Sequence, residues 1–141
     1  MKVLIDTNIM LDGLLEREPF NEDARALFQA IDLGQIQGYV TATTLTDIFY
    51  IVRKQTQSLE RARLAVIETL EVMEVCLVDH LRLERAIASN LRDFEDALQL
   101  ACAIADRLDA IVTRDSQGFA GATLPILFVS ELRDRLSPAL D

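Results

Sequence analysis

The sequence predicts an α/β protein: a central parallel sheet of about five strands with helices on both faces. Two observations predict it. Short apolar runs rich in β-branched residues recur along the chain, and segments with helical apolar spacing separate them. The opening run, residues 1–5, stops at once on Asp6-Thr7-Asn8, as a fully buried strand ending in a polar turn does. In an open parallel sheet, ligand-binding groups collect beyond the carboxyl ends of the strands, which is where Asp6 falls.

The remaining elements follow in order. A short helix is expected over 8–15, ending ahead of Glu18-Pro19. A second spans 22–33, with Ala24, Leu27, Phe28 and Ile31 at helical spacing and Gly34 as its stop. Residues 38–40 read as the second strand. Thr43 or Thr44 then caps a helix running to Lys54, with Leu45, Ile48, Phe49 and Val52 as its core stripe. Ser58 opens a helix to about Met73, with Ala62, Val66, Leu70 and Met73 on one side. Strand three is 75–78, and Asp79 caps a helix carrying Leu83, Ala86 and Ile87. Asp93 caps a long helix to Leu108, whose Ala97, Ala101 and Ala105 allow it to lie close to a sheet. Strand four is 110–112, followed by Thr113-Arg114-Asp115; strand five is 125–129, and a short helix over 130–136 comes last. There is no repeat, low-complexity segment or linker, so residues 1–141 are expected to form one domain.

Composition narrows the class. Half of the residues are hydrophobic, which suits a packed globule and not a disordered chain. No apolar run approaches the roughly 18 residues of a membrane span. A strand beginning at residue 1 leaves no room for a leader, so a soluble cytoplasmic protein is expected. Cys76 and Cys102 lie in apolar segments without CxxC or Cys/His spacing and read as buried free thiols. A net charge of −9 argues against a broad basic face for nucleic acid. It is compatible with carboxylates gathered in one cleft, where divalent cations bridge to phosphate.

The chemistry therefore rests on acids. Asp6 follows the first strand directly and Asp115 follows the fourth by three residues. If those strands are neighbours, both carboxylates enter one crevice. Asp47 lies early in the helix after strand two, and Asp96 in the first turn of the helix before strand four. Each has a plain alternative. Asp6 and Asp115 could be turn residues, Asp47 could complete a capping box with Thr44, and Asp96 could complement the helix dipole. Asp93 reads first as an N-cap alone, with a place lining the cleft as the alternative. His80, the only histidine, reads as a helix-start residue beside Asp79, so no serine or cysteine nucleophile can be paired with a base. Arg114 is either a phosphate contact or a solvent-facing side chain.

Four pieces occur in order: Leu4-Ile5-Asp6-Thr7-Asn8, Thr46-Asp47-Ile48-Phe49-Tyr50, Asp93-Phe94-Glu95-Asp96-Ala97-Leu98-Gln99 and Ile111-Val112-Thr113-Arg114-Asp115. Together they resemble the PIN domain family over nearly the whole chain. The resemblance implies a three-layer α/β/α sandwich with strand order 3-2-1-4-5. It implies a metal-dependent endoribonuclease, as in the toxin half of bacterial toxin–antitoxin pairs. Asp6, Asp47, Asp96 and Asp115 are then the acidic quartet, with Asp6, Asp96 and Asp115 as ligands of Mg2+ or Mn2+. By the same likeness Thr7, Asn8 and Thr113 support them; Asp93 and Ser116 are further candidate supports, read from their own positions and chemistry. The second acid of the family is usually glutamate; this chain has Asp47, one methylene shorter, and no other acid nearby reads as better placed. The implied partners are an RNA substrate, an antitoxin protein and a second copy of the chain, with no membrane. A non-catalytic binding module on the same scaffold is the alternative. A phosphatase would want an acid two residues after Asp6, where Asn8 stands, and a receiver domain would want a lysine after the last strand, where none occurs.

Overall fold

The computed structural model describes residues 1–136. Its five strands are parallel and ordered β3-β2-β1-β4-β5, where β1 is Lys2–Ile5, β2 Gln37–Thr41, β3 Glu74–Cys76, β4 Ala110–Val112 and β5 Ile126–Leu127. β1 is central. Leu4 pairs with Tyr39 on one side and Ile111 on the other, so its backbone is hydrogen-bonded along both edges. The chain reverses its direction of travel across the sheet between β1 and β4, which places a crevice beyond their carboxyl ends.

Both faces of β1 are covered. Val3 and Ile5 join a core with α1 (Thr7–Leu14), α2 (Asn21–Asp32), α3 (Ala42–Thr56) and α4 (Leu59–Val72). Leu4 and Ile111 face the opposite core, built with α5 (His80–Ala88) and α6 (Phe94–Ala105). Double coverage explains why β1 and β4 read as unbroken apolar runs. The three-layer α/β/α arrangement and strand order 3-2-1-4-5 agree with expectation.

Several boundaries moved for local reasons. Strand β2 runs to Thr41, and Thr41 caps α3, accepting a bond from the Thr44 amide at 3.2 Å, in place of Thr43 or Thr44. Asp47 is therefore inside α3 and completes no capping box. The caps read at Ser58, Asp79 and Asp93 are present, each accepting from an amide three residues on. Helix α6 stops at Ala105, and Arg107 takes positive φ before β4. β3 and β5 are shorter than expected, and Val129 already belongs to α7 (Val129–Leu136). On α4 the buried residues are Ala62, Ala65 and Thr69, with Met73 buried just past its end. Leu70, expected inside, is exposed. Gly34 stands at φ +75 just past α2, and Gln35 returns its amide to the Ala30 carbonyl, the left-handed stop expected of that glycine. Cys76 and Cys102 are buried and free. No helix among the described residues is long and apolar enough to cross a membrane.

Arg114 is partly exposed and is engaged within the protein. Its guanidinium donates to buried Asp12 through Nε (2.8 Å) and Nη2 (3.3 Å), and stacks 4.0 Å from the Phe20 ring centre. Asp12 lies among apolar residues of α1, so its charge requires a partner. Arg17 adds a longer contact at 3.8 Å. This clamp ties α1 to the segment after β4. Arg114→Ala would leave Asp12 buried with that one weak contact. We expect a loss of about 1–3 kcal/mol in urea unfolding.

Candidate active site

The polypeptide reaches the crevice from four directions. Asp6 ends β1 and occupies the N-cap position of α1, with extended backbone (φ −63, ψ 146), yet its side chain caps nothing. The carboxylate turns instead toward the sheet. Thr113, just past β4, donates its hydroxyl to Oδ2 at 2.7 Å, and Gln99 on α6 donates Nε2–H to Oδ1 at 3.2 Å. The turn-residue reading of Asp6 therefore fails: its partners are 107 and 93 residues away in the chain. The Thr113 hydroxyl also accepts the Asp115 amide at 3.0 Å, so one side chain positions two acids.

Asp6, Asp47, Asp93, Glu95, Asp96 and Asp115 line a single cleft of about 320 Å³, together with Thr7, Asn8, Leu11 and Ile51. Six carboxylates and no basic side chain border it. Asp47 reaches it from α3, and Asp93, Glu95 and Asp96 from the start of α6. Thr113 lies behind Asp6, fully buried. Ser116 heads a 3-10 helix, Ser116–Phe119, exposed and outside the residues lining the cleft. Gly118 in that short helix sits against Asp96: a Cβ built there would fall 2.5 Å from Asp96 Oδ2 and 3.7 Å from Asp115 Oδ2.

The electrostatics follow from this crowding. Asp96 is pushed up to about 6, first by partial burial and then by the charges of Asp6, Asp93 and Asp115. Glu95 is pushed up to about 7, by burial, then by a shared hydrogen bond with Asp47 and that residue's charge. The Thr7 hydroxyl opposes this shift, donating to Glu95 Oε1 at 3.0 Å. Thr7 continues into a row of hydroxyls, with Thr44 at 2.8 Å and Thr41 at 3.1 Å beyond. The row links the ends of β1 and β2 to α6.

Glu95 sets the sign of a pH effect. Its carboxyl titrates at about 7 in the folded chain and near its ordinary 4.5 unfolded. The stability tied to the protonated form is complete below the unfolded value and lost as pH rises through 7. Glutamine cannot ionise. Without metal, Glu95→Gln is therefore expected to melt close to wild type at pH 4.5 and about 2–5 °C above it near pH 8. Calorimetry in chelator measures the difference.

The PIN domain model matches residues 2–117. That span includes every acid of the cleft. The chain belongs to the PIN domain family. Solved structures similar to this PIN domain include three bacterial assemblies. VapBC2 from Rickettsia felis, bound to a DNA fragment from its promoter, is 14% identical with TM-score 0.67, covering 91% of this chain and 98% of that one. A toxin–antitoxin complex from Klebsiella pneumoniae is 25% identical with TM-score 0.66, covering 90% and 97%. FitAcB from Neisseria gonorrhoeae is 19% identical with TM-score 0.60, covering 91% and 98%. Comparison with curated protein sequences finds no match.

Within this PIN domain the structure brings together Asp6, Asp47, Asp96 and Asp115, with Thr7, Asn8 and Asp93 beside them. Two participants lacked an assigned role in the sequence. Glu95 is an acid beside Asp47 in the same cleft. Its signal was a second acid in the same first turn of α6. Gln99 lies three residues past Asp96, hence on the same helical face. Among the described residues, no three acid, histidine or cysteine side chains already converge on one point as a ligand set.

Proposed function

We propose that this chain is a single-domain, divalent-cation-dependent endoribonuclease acting in the cytoplasm as the toxin of a toxin–antitoxin pair. The observation that carries the reading is the cleft itself, where six carboxylates from four stretches of chain crowd together without a basic counterion. Such a concentration of negative charge is costly to the apo fold and repels a phosphodiester. It becomes useful once cations occupy it. Membership of the PIN family and likeness to toxin–antitoxin structures support the same reading, including an antitoxin partner.

The donor set fits a hard cation. The cleft offers six carboxylates with the neutral oxygens of Thr7 and Asn8, the hard donors that suit Mg2+ and Mn2+, and magnesium commonly retains several waters beside one or two carboxylates. Asp6, Asp96 and Asp115 are the residues that would hold it. When bound, the cation supplies charge neutralisation at the phosphodiester and Lewis acidity toward water. The chain's own residues do the rest. Thr113 and Gln99 hold Asp6, Thr113 holds the Asp115 backbone, and Gly118 leaves space for Asp96. Glu95, pushed up to about 7 by burial and by Asp47 beside it, can take a proton from water entering the cleft and return it. Asn8, exposed at the cleft, is placed to donate to the substrate backbone.

The test is cleavage of labelled RNA, and of DNA of equal sequence, by purified partner-free protein with added Mn2+. Cleavage of RNA by wild type, abolished by chelator, supports the reading. Absence of cleavage by wild type, or equal cleavage by Asp6→Asn, overturns it. A second copy of the chain is a further proposed partner, tested by sedimentation of the same material.

A further inference from the structure

We propose that Gln99 is a positioning residue: from the buried face of α6 it holds the Asp6 carboxylate in the orientation that offers it to a divalent cation. The inference rests on the cation-dependent reading above. Gln99 is 0% exposed on a helix whose neighbouring buried positions are Ala97, Leu98, Leu100, Ala101 and Cys102. Packing alone asks for no amide there; leucine has a comparable helix propensity and no polar atoms to bury. Gln99 Oε1 is, among the described residues, the one buried side-chain oxygen or nitrogen without a hydrogen-bond partner. Burying an unpaired acceptor costs stability, and such a group calls for an explanation beyond packing.

The explanation is at the other end of the amide. Nε2 donates to Asp6 Oδ1 at 3.2 Å while the Thr113 hydroxyl donates to Oδ2 at 2.7 Å. One donor on each oxygen fixes rotation about the Cβ–Cγ bond of Asp6. Both donors are neutral. An arginine or lysine in either place would hold the carboxylate as firmly but would cancel its charge and compete with a cation. Gln99 thus supplies direction without neutralisation, and the orphaned Oε1 is the cost of placing an amide on an apolar face.

The experiment compares metal-free wild type, Asp6→Asn and Gln99→Met, a side chain of similar length lacking the donor. Mn2+ uptake is followed by the paramagnetic resonance signal of the free ion, and folding by thermal melting. Gln99→Met is expected to bind Mn2+ about 10-fold more weakly or worse, while melting within a few degrees of wild type or above it. Equal affinity in wild type and Gln99→Met, with Asp6→Asn unable to bind, overturns the proposal and leaves the nuclease reading intact. A wild type that takes up no Mn2+ overturns both. Should Gln99→Met fail to fold, Gln99→Leu is measured the same way. A collapse in melting temperature in both variants assigns Gln99 to structure alone and overturns the proposal as well.

Discussion

Asp6→Asn is expected to lower RNA cleavage on the order of 10³-fold, and to leave the metal-free protein as stable as wild type or more so. The two halves of that result come from different parts of the site. Activity falls because Asp6 is the acid on which β1, β4 and α6 converge, and an amide offers a cation one neutral oxygen where there were two sharing a charge. Stability holds because asparagine keeps the shape and finds partners. Its oxygen accepts from Thr113 or Gln99, and its NH2 can face Gln99 Oε1 if that amide turns over, relieving that unpaired acceptor. Neutralisation also removes the charge that does most, after burial, to raise Asp96. A large drop in melting temperature would instead mean that Asp6 is chiefly structural.

Gly118→Ala is expected to lower cleavage by about 10²-fold with a much smaller effect on folding. The added methyl would stand 2.5 Å from Asp96 Oδ2, well inside contact distance, so one of the two must give way. The carboxylate is the end of a rotatable side chain, whereas Gly118 belongs to the backbone of a 3-10 helix anchored by buried Phe119. Asp96 therefore moves. Displacement of a reacting group by about 1 Å can cost 10²-fold in rate. Steady-state cleavage beside urea unfolding of the same preparation separates this outcome from simple misfolding, which would reduce both together.

The layout of the sheet was legible because buried parallel strands announce themselves as short apolar runs, and because Ser58, Asp79 and Asp93 mark helix starts by their own chemistry. The Thr41-Ala42-Thr43-Thr44 stretch was less so: three of its residues can cap a helix, and only the length of β2 decides among them. Leu70 was misplaced because α4 buries a stripe set by α3, running through Ala62, Ala65 and Thr69. The cleft acids could be read one by one as residues after strands or at helix starts. What remained hidden was everything defined by three-dimensional proximity. Glu95 matters because Asp47 comes within hydrogen-bonding reach of it, Gln99 because α6 packs over the end of β1, and Gly118 because Asp96 fills its missing side chain. Arg114 looked free because nothing in one dimension connects it to Asp12, 102 residues earlier.

Crystals of the protein soaked in Mn2+ and measured near the manganese absorption edge test the central claim most directly. The acid cleft is expected to show at least one strong anomalous peak within bonding distance of Asp6 and of Asp96 or Asp115. A map with no peak in that cleft, under conditions where manganese fully exchanges into the solvent channels, would contradict a cation-dependent nuclease.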